Sequence, residues 1–418
     1  MKILVIGSGG REHAVVKAIK KSPLCDTVYA LPGNPGMTEA VLLPGNPLDI
    51  DKTVRMAREY HIDFCIVTPE DPLAAGLVDA LIDAGIPCFG PSQQAARIES
   101  SKVFSKNLMQ KYGIPTASFR VFDELAPALD YAKAQPYPLV IKADGLARGK
   151  GVVIAQDVEE AEQALKGMLS GADFGESGKQ VIIEETLQGP EVSLLCLADG
   201  QTILPLVSAM DHKRAKDGDK GLNTGGMGAI APSPLFTADL AEYTRKQILE
   251  PTMAAMRAEG CPFAGCLFVG LMLTKDGPKV LEYNARMGDP ETQAVLPLLT
   301  SDLLAHLIAC SKASLHLEQP QFLDESACCL VLTSKGYPEQ FETGFPITAS
   351  ETDAQVCFAG VKEQNGQLVT AGGRVLSVTA VKPSLNEAIL AAYAAAEHID
   401  FKDKTYRTDI GQKALKGL

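Results

Sequence analysis

The sequence predicts a multidomain protein of mixed α/β and α+β class. It has 418 residues, which at roughly 150 residues per domain corresponds to about three domains. Its first hundred residues alternate strand-like and helix-like patterns, as in a parallel, Rossmann-like sheet. Beyond residue 191, strand-like runs joined by Asp-Gly turns indicate antiparallel hairpins. We place the domain boundaries so that the units span 1–100, 101–120, 121–187, 188–325 and 326–418.

The composition limits the classes of function. Lys and Arg total 39 against 51 Asp and Glu, which gives a net charge of −12, and 46% of the residues are apolar. Such a balance disfavours binding to phosphate backbones and anionic lipids, so we expect neither nucleic acid nor a membrane as partner. The ten cysteines form no C-x-x-C pair and several lie in apolar runs. We therefore expect a cytoplasmic protein with reduced core cysteines. We also expect a monomer or a weak dimer.

The N-terminal hundred residues predict three strands and two helices in alternation. The strands are expected at 2–6, 64–68 and 88–90, and the helices at 12–20 and 72–84. Parallel sheets bind ligands outside the carboxyl ends of their strands. The Gly-rich segment 7–10 and the polar segment 68–71 both fall at such ends.

The remaining elements follow in order. Helices are predicted at 101–112, 124–134, 158–169, 238–259, 302–312 and 385–396, and strands at 118–122, 138–143, 151–155, 180–185, 329–333 and 374–380. Two hairpins are predicted, from 192–198 with 202–207 and from 265–274 with 278–285. Residues 211–234 are polar and Gly-rich with little periodicity, which predicts a long loop that is functional or disordered.

The segment 7–12 follows a strand and opens a helix, as a dinucleotide-binding fingerprint does. Glu12 stands where that fingerprint has its third glycine, and no acidic residue closes the second strand about 20 residues later. A nicotinamide nucleotide is therefore disfavoured. Free N–H groups at a helix N-terminus favour a phosphate instead, and a tight turn without a ligand is the alternative.

The segment 142–151 combines three glycines with the cations Lys142, Arg148 and Lys150 between two strands. A P-loop would lead into a helix, so this arrangement predicts a lid over a triphosphate, with a cationic β-turn as the alternative. The strand at 182–185 ends in two acids. Backbone groups beyond such a strand can contact an adenine, and a carboxylate a few residues later can bind a ribose. The alternative is that the two acids are simply solvated, as acids after a strand often are.

Glu282, Asn284 and Arg286 should share one face of a strand. Two oxygen donors beside nucleotide phosphates suit Mg²⁺, and the guanidinium could stabilise a transferring phosphoryl group. An exposed strand face is the alternative. Asp289 and Thr292 could be helix caps only, and His212 in the long loop could be a surface histidine.

Six motifs, at 7–13, 69–73, 142–145, 211–214, 223–228 and 288–292, occur in order together with the segments 184–191 and 282–286. Over essentially the whole chain they closely resemble the glycinamide ribonucleotide synthetase (phosphoribosylamine–glycine ligase) family of ATP-grasp enzymes. The resemblance implies ATP-grasp central domains and a small C-terminal α+β domain. It also implies ligation of glycine to 5-phosphoribosylamine through glycyl phosphate, giving glycinamide ribonucleotide, ADP and phosphate in purine biosynthesis.

The resemblance further implies roles for individual residues. Arg286 and Lys142 would be catalytic, and Glu282 and Asn284 would bind Mg²⁺ or Mn²⁺. ATP would be bound by Lys102, Lys142, Gly145, Gly149, Lys150, Gly151, Glu184, Glu185, Leu187 and Glu191. The substrates would be bound by Gly9, Gly10, Asp211, Lys213, Asn223, Thr224, Gly225, Gly226, Met227, Arg286, Gly288, Asp289, Pro290 and Glu291.

Three rival functions predict different residues. A biotin-dependent or bicarbonate-using relative should lack the motifs at 211–214 and 223–228, and both are present. A non-catalytic nucleotide-binding module should lose Glu282, Asn284 or Arg286, and all three are present. An enzyme dependent on NAD(P) should change nicotinamide absorbance, and we expect no such change. The strand at 265–274 departs from ATP-grasp enzymes in general because it lacks an acidic metal ligand.

Overall fold

The computed structural model describes residues 1–145, 151–170 and 179–417. The N-terminal unit is an all-parallel sheet of order β3-β2-β1-β4-β5; its parallel character is as predicted, but it has five strands where three were predicted. Its central strands are buried along 3–6 and 64–67 because helices cover both faces of the sheet. The elements are β1 Lys2–Gly7, α1 Gly10–Ile19, β2 Thr27–Pro32, β3 Val41–Leu42, α2 Ile50–Glu59, β4 Phe64–Val67, α3 Glu70–Ala74, α4 Leu77–Asp83, β5 Cys88–Phe89 and α5 Gln93–Ser100.

One predicted helix of this unit is wrong as a single element. The helix expected at 72–84 is two helices, α3 and α4, separated at Gly76. Gly76 has a φ of +88°, a left-handed conformation that a helix cannot continue through. The first of the two helices, α3, begins at Glu70, shortly after the end of β4.

The next unit is an antiparallel sheet of order β6-β9-β7-β8 covered by two helices. All six predicted elements within it are confirmed to within two residues at each end. The elements are α6 Lys102–Lys111, which precedes the sheet, then β6 Phe119–Phe122, α7 Leu125–Lys133, β7 Leu139–Ala143, β8 Val152–Ala155, α8 Val158–Leu169 and β9 Val181–Glu185. Most of the predicted lid, including Arg148, Gly149 and Lys150, lies outside the described residues.

A second antiparallel sheet, of order β11-β10-β16-β17, contains both predicted hairpins. The predicted helix 238–259 is interrupted by a π-helical turn, Arg245–Leu249. The elements are β10 Glu191–Asp199, β11 Ile203–Pro205, β12 Met210–Asp211, β13 Arg214–Lys216, β14 Lys220–Asn223, β15 Gly228–Ala231, α9 Ala238–Thr244, α10 Glu250–Ala258, β16 Ala264–Thr274, β17 Gly277–Asn284, α11 Glu291–Val295 and α12 Leu303–Ser311.

The prediction of a loop at 211–234 is wrong, because four short strands, β12 to β15, fall in 210–231. β13 and β14 form a hairpin, whereas β12 and β15 join the sheet of the C-terminal region. That sheet has the order β12-β15-β18-β23-β20. The elements of the tail are β18 Ser326–Ser334, β19 Thr348–Ala349, β20 Gln355–Phe358, β21 Val361–Gln364, β22 Gln367–Thr370, β23 Arg374–Lys382, α13 Leu385–Ala396, β24 Ile399–Asp400, β25 Lys404–Thr405 and α14 Gln412–Leu415; β19 pairs with β24 and β21 with β22, outside this sheet.

The cysteines occupy the core, as predicted. All ten are free thiols, and every one except Cys25 is buried. Burial raises the pKa of thiols such as Cys196, which keeps them protonated and unreactive. Among the helices of the described residues, none has the length and apolar character needed to cross a bilayer.

Candidate active site

Two lysines and a glutamate form a buried cluster where α6 crosses the sheet containing β7 and β9. The ammonium groups of Lys106 and Lys142 each lie 3.1 Å from Oε2 of Glu184, whose side chain is 3% exposed. Lys142 also donates to the backbone oxygen of Leu281 at 3.2 Å, and Lys102 donates to that of Gly145 at 2.7 Å. Lys102 therefore contacts the last described residue before the undescribed part of the lid, and Lys142 reaches the strand that carries Glu282.

The predicted adenine and ribose contacts lie along the end of β9 and the start of β10. Glu185 is exposed and accepts a hydrogen bond from the Ser118 amide at 2.9 Å, while Leu187 is half-buried. Glu191 lies 3.3 Å from the ammonium of Lys213. Gly145 and Gly151 flank the undescribed segment of the lid; the Gly145 backbone oxygen accepts from Lys102, and the Gly151 backbone oxygen accepts from the Ala143 amide at 2.9 Å.

The predicted metal ligands stand at the carboxyl end of β17. Glu282 faces Gly270 of β16, so the neighbouring strand offers no second carboxylate at this level. Burial alone would raise the pKa of Glu282, but Lys213, Lys142, Lys102 and Arg286 outweigh it and lower the pKa to about 2. Glu282 is therefore ionised at neutral pH, with 39% of its side chain exposed to the cleft.

Arg286 departs from the predicted strand face, because β17 ends at Asn284. Its guanidinium still reaches Asn284, with Nη2 donating to Oδ1 at 3.4 Å. Its Nε lies 3.2 Å from Glu99 and 3.3 Å from Glu70, at angles too poor for hydrogen bonds. Sequence reasoning missed both partners. Glu70 carried a signal at the end of a parallel strand, whereas Glu99 is an ordinary helical residue until the fold is known.

The Gly-rich turn differs from its prediction in one respect. The Gly9 amide is not free for a phosphate, because it donates to Glu12 Oε2 at 2.7 Å, and Glu12 also accepts from Thr68 at 2.8 Å. Arg11 donates to Glu12 at 2.6 Å and to the backbone oxygen of Met287 at 3.0 Å. Glu12, which stands where the fingerprint has its third glycine, therefore stabilises the turn by hydrogen bonds within the protein. It also places a carboxylate at the N-terminus of α1.

The predicted substrate residues of three distant segments meet beside this turn. Gly226 packs against Asp211 and the Asp289-Pro290 segment, and Asp289 approaches Gly9. Glu291 is buried and accepts from Ser193 at 3.2 Å. Thr224 donates to the Lys213 backbone, Met227 is buried, and Asn223 ends β14. Gly10 contacts Gln293, a buried amide absent from the prediction.

Two alternatives from the sequence are wrong. Neither Asp289 nor Thr292 caps α11, whose N-cap is Pro290; Asp289 instead pairs with Arg374, and Thr292 donates to the Gly288 backbone. His212 is not a surface residue, since it is buried and accepts a hydrogen bond from the Gly411 amide at 3.1 Å. Burial, assisted by Arg407, lowers its pKa to about 4.

Gly226 is a point where the site tolerates no side chain. Its φ is +107°, and a Cβ there would overlap Pro290 Cδ and lie 2.9 Å from Asp211 Oδ1. We expect Gly226→Ala to fold but to lose about tenfold or more in kcat/KM, because the segment must shift by a fraction of an ångström or more. Gly366→Ala, at a φ of +75° with open space around it, is the control for backbone strain alone. Equal activity losses in the two variants would contradict the packing argument.

Comparisons with known protein families, sequences and structures indicate the same family over nearly the whole chain. Three domain descriptions match in order: phosphoribosylglycinamide synthetase N domain at 1–99, ATP-grasp (A) domain at 100–292 and C domain at 327–413. A phosphoribosylamine–glycine ligase of Rhizobium meliloti is 47% identical, over 99% of each chain. The crystal structure of the Thermotoga maritima phosphoribosylamine–glycine ligase is 35% identical, with a TM-score of 0.86, and covers 98% of this chain and 100% of that one.

A more distant structure shows how widely the fold is shared. The biotin carboxylase domain of a Hydrogenobacter thermophilus 2-oxoglutarate carboxylase has a TM-score of 0.74 at 17% identity, over 97% of this chain and 91% of that one. Fold and site together define an ATP-grasp ligase. The chain belongs to the phosphoribosylglycinamide synthetase family, as its three domain matches and full-length relatives show.

Proposed function

We propose that the chain joins glycine to 5-phosphoribosylamine by way of glycyl phosphate, with ATP converted to ADP and the transferred phosphoryl group released as phosphate. The observation that carries this proposal is the meeting of the cationic cluster, the ionised Glu282 and the Asp211–Gly226–Asp289 group at one cleft. A carboxylate lacks a good leaving group, so glycine must first be phosphorylated. The amine can then attack the acyl phosphate and expel phosphate.

The chain's own residues supply positioning and charge. Lys102, Lys142 and the lid would hold the ATP phosphates, Glu184 to Leu187 would frame adenine, and Glu191 would hold the ribose. Arg286, oriented by Glu70 and Glu99, would stabilise charge on the transferring phosphoryl oxygens. Asp211, Glu291 and the segments 223–227 and 288–290 would hold glycine and the amine beside Gly9 and Gly10.

The donor set at β17 suits a magnesium or manganese ion. Glu282 is ionised and faces the cleft, and Asn284 adds a carbonyl oxygen on the same strand face. Within the described residues, no cluster of three or more acidic, histidine or cysteine side chains could hold a metal alone. This matches an ion that takes most of its ligands from water and nucleotide phosphates. Such an ion would neutralise phosphate charge when bound.

The direct test follows ADP and product together. The purified chain is mixed with ATP, Mg²⁺, glycine and freshly generated phosphoribosylamine. ADP formation that requires both co-substrates, with glycinamide ribonucleotide formed in step, is the expected result. ADP formation indifferent to glycine or to the amine would overturn the proposed reaction while leaving the fold assignment intact.

Asp211 provides a prediction that links stability to function. Burial, then the nearby Glu291, raise its pKa well above the usual value, against the opposing effect of Lys213, and its buried Oδ1 has no hydrogen-bond partner. A carboxyl group whose pKa is raised by folding destabilises the fold once pH exceeds its unfolded pKa of about 4. We expect Asp211→Asn to have a higher Tm at pH 8 and an unchanged Tm near pH 4. Its kcat/KM for glycine or the amine should fall about tenfold.

The control for this prediction is Asp276→Asn, at an exposed turn. Its Tm should follow the wild-type protein at both pH values. An Asp211→Asn protein that loses stability at pH 8 would show that the carboxylate is a structural partner.

A further inference from the structure

Arg374 lies where three parts of the chain meet. It is the first residue of β23, and only 23% of its side chain is exposed. Nη1 donates to the backbone oxygen of Gly225 at 2.6 Å and to that of Asp289 at 3.0 Å, while Nη2 donates to the Asp289 carboxylate at 3.0 Å. One side chain from the C-terminal region therefore binds both the segment expected near the amine, 223–227, and the segment expected to frame glycine and the acyl phosphate, 288–290.

The same region also binds the other side of Gly225. The Gly225 amide donates to the phenol oxygen of Tyr337 at 3.1 Å, so both backbone polar groups of this glycine are held by side chains of the tail. The guanidinium lies flat against the glycine, since a Cβ on Gly225 would sit 2.9 Å from Arg374 Cζ. Tyr337 is seated on Gly373, the residue before Arg374. The position of the 223–227 segment thus depends on this pair.

Arg374 also fixes the direction of the Asp289 carboxylate. One oxygen accepts from Arg374 and the other accepts from Gln293 at 2.7 Å. The oxygen bound to Arg374 lies 3.7 Å from the position that a Cβ on Gly9 would occupy. Burial would lower the pKa of Arg374, but Asp289 and Tyr337 outweigh this effect. The pKa of Arg374 is raised overall, so the guanidinium stays charged. A charged, planar donor explains why three acceptors can be held in a single geometry.

We propose that Arg374, with Tyr337, is a positioning residue for the amine substrate. It contacts no reacting atom in this role, and the inference rests on the proposed function. Its task is to keep the 223–227 segment and Asp289 in register, so that the amine nitrogen reaches the acyl phosphate before water does. Without it, water would attack the carbonyl carbon of glycyl phosphate, the bond from that carbon to the phosphate oxygen would break, and glycine and phosphate would be released.

The test is the ratio of ADP formed to glycinamide ribonucleotide formed. In the wild-type chain the two should appear in equal amounts. In Arg374→Met we expect several ADP per product and an apparent KM for the amine raised about tenfold, with the KM for ATP within about twofold of wild type. Arg374→Lys, which keeps the charge but loses the planar fork, should be intermediate.

A matched control separates positioning from folding. Arg407→Lys changes another arginine of the same region, more deeply buried than Arg374, which donates to the Arg214 backbone, Asp219 and Asp409. This variant should lower Tm but keep equal amounts of ADP and product. If Arg374→Met does not fold, Tyr337→Phe tests the same contact, with a smaller rise in the ratio expected.

The outcomes are distinct. A wild-type chain that makes no product overturns the proposed function itself. If the wild-type chain forms ADP and product in equal amounts, two results overturn only the role of Arg374. One is an Arg374→Met protein that also forms equal amounts; the other is an Arg407→Lys protein whose ratio of ADP to product rises as much as that of Arg374→Met.

Discussion

Glu282→Ala is expected to fold normally and to lose at least about 10²- to 10³-fold in kcat, the effect of removing a group that supports developing charge. The carboxylate lies among Lys102, Lys142, Lys213 and Arg286, which keep it ionised, and it faces the cleft beside Asn284. Removing it leaves these cations without their shared anion and removes one of two protein oxygens expected to hold the metal. The rate should stay low at saturating Mg²⁺.

The measurement combines single-turnover ADP formation with a Tm. Glu282→Asp should recover part of the rate and require more Mg²⁺ for half-maximal activity, because the shorter carboxylate must still reach the same ion. Glu363→Ala, an exposed glutamate of β21, is the control for a lost surface charge. A Glu282→Ala protein with near-normal turnover at saturating Mg²⁺ would refute the metal assignment.

Lys142→Met is expected to lower kcat/KM for ATP by about 10²-fold or more. The chain offers an internal control, because Lys106 lies at the same 3.1 Å from the same oxygen of Glu184. The second contact differs: Lys106 donates to the Thr116 hydroxyl at 2.7 Å, whereas Lys142 donates to the backbone oxygen of Leu281, next to Glu282. Both substitutions leave Glu184 with one cation, but only one removes a charge from the expected phosphate path.

Lys106→Met should therefore change kcat/KM for ATP by less than about tenfold. Burial lowers the pKa of Lys106 to about 8, against the opposing effect of Glu184, so its ammonium loses charge above that pH. Equal losses in the two variants, with equal Tm values, would mean that the lysines act only through Glu184.

Local pattern predicted most of the fold but not the places where distant segments join. Helix α13 matches its prediction at both ends because its capping box and apolar periodicity are written in consecutive residues. The short strands β12 and β15 were missed because they pair with each other and because β15 also pairs with β18, far along the chain. Gly- and Lys-rich segments carry no strand pattern of their own, so only the tertiary partner makes them strands.

The site shows the same division. Glu282 and Asn284 were recognisable because they alternate along one strand. Arg374, Glu99 and Glu12 act through partners elsewhere in the chain, and their surroundings in sequence are those of an ordinary strand start or helix. In the sequence, Glu12 only breaks the dinucleotide-binding fingerprint. Its role becomes visible in the structure, where its carboxylate accepts hydrogen bonds from Gly9 and Thr68.

The pairing of β15 with β18 has a consequence for synthesis on the ribosome. Ala231 pairs with Ala327 and Gly228 with Leu330, so each partner emerges about 100 residues later. At roughly 5–20 residues per second, the apolar strand β15 waits several seconds with an open edge. During that interval the nascent chain presents an unpaired strand of the kind that recruits other strands. Chains released before β18 emerges should therefore aggregate or depend on chaperones, even though most of the catalytic core has already been made.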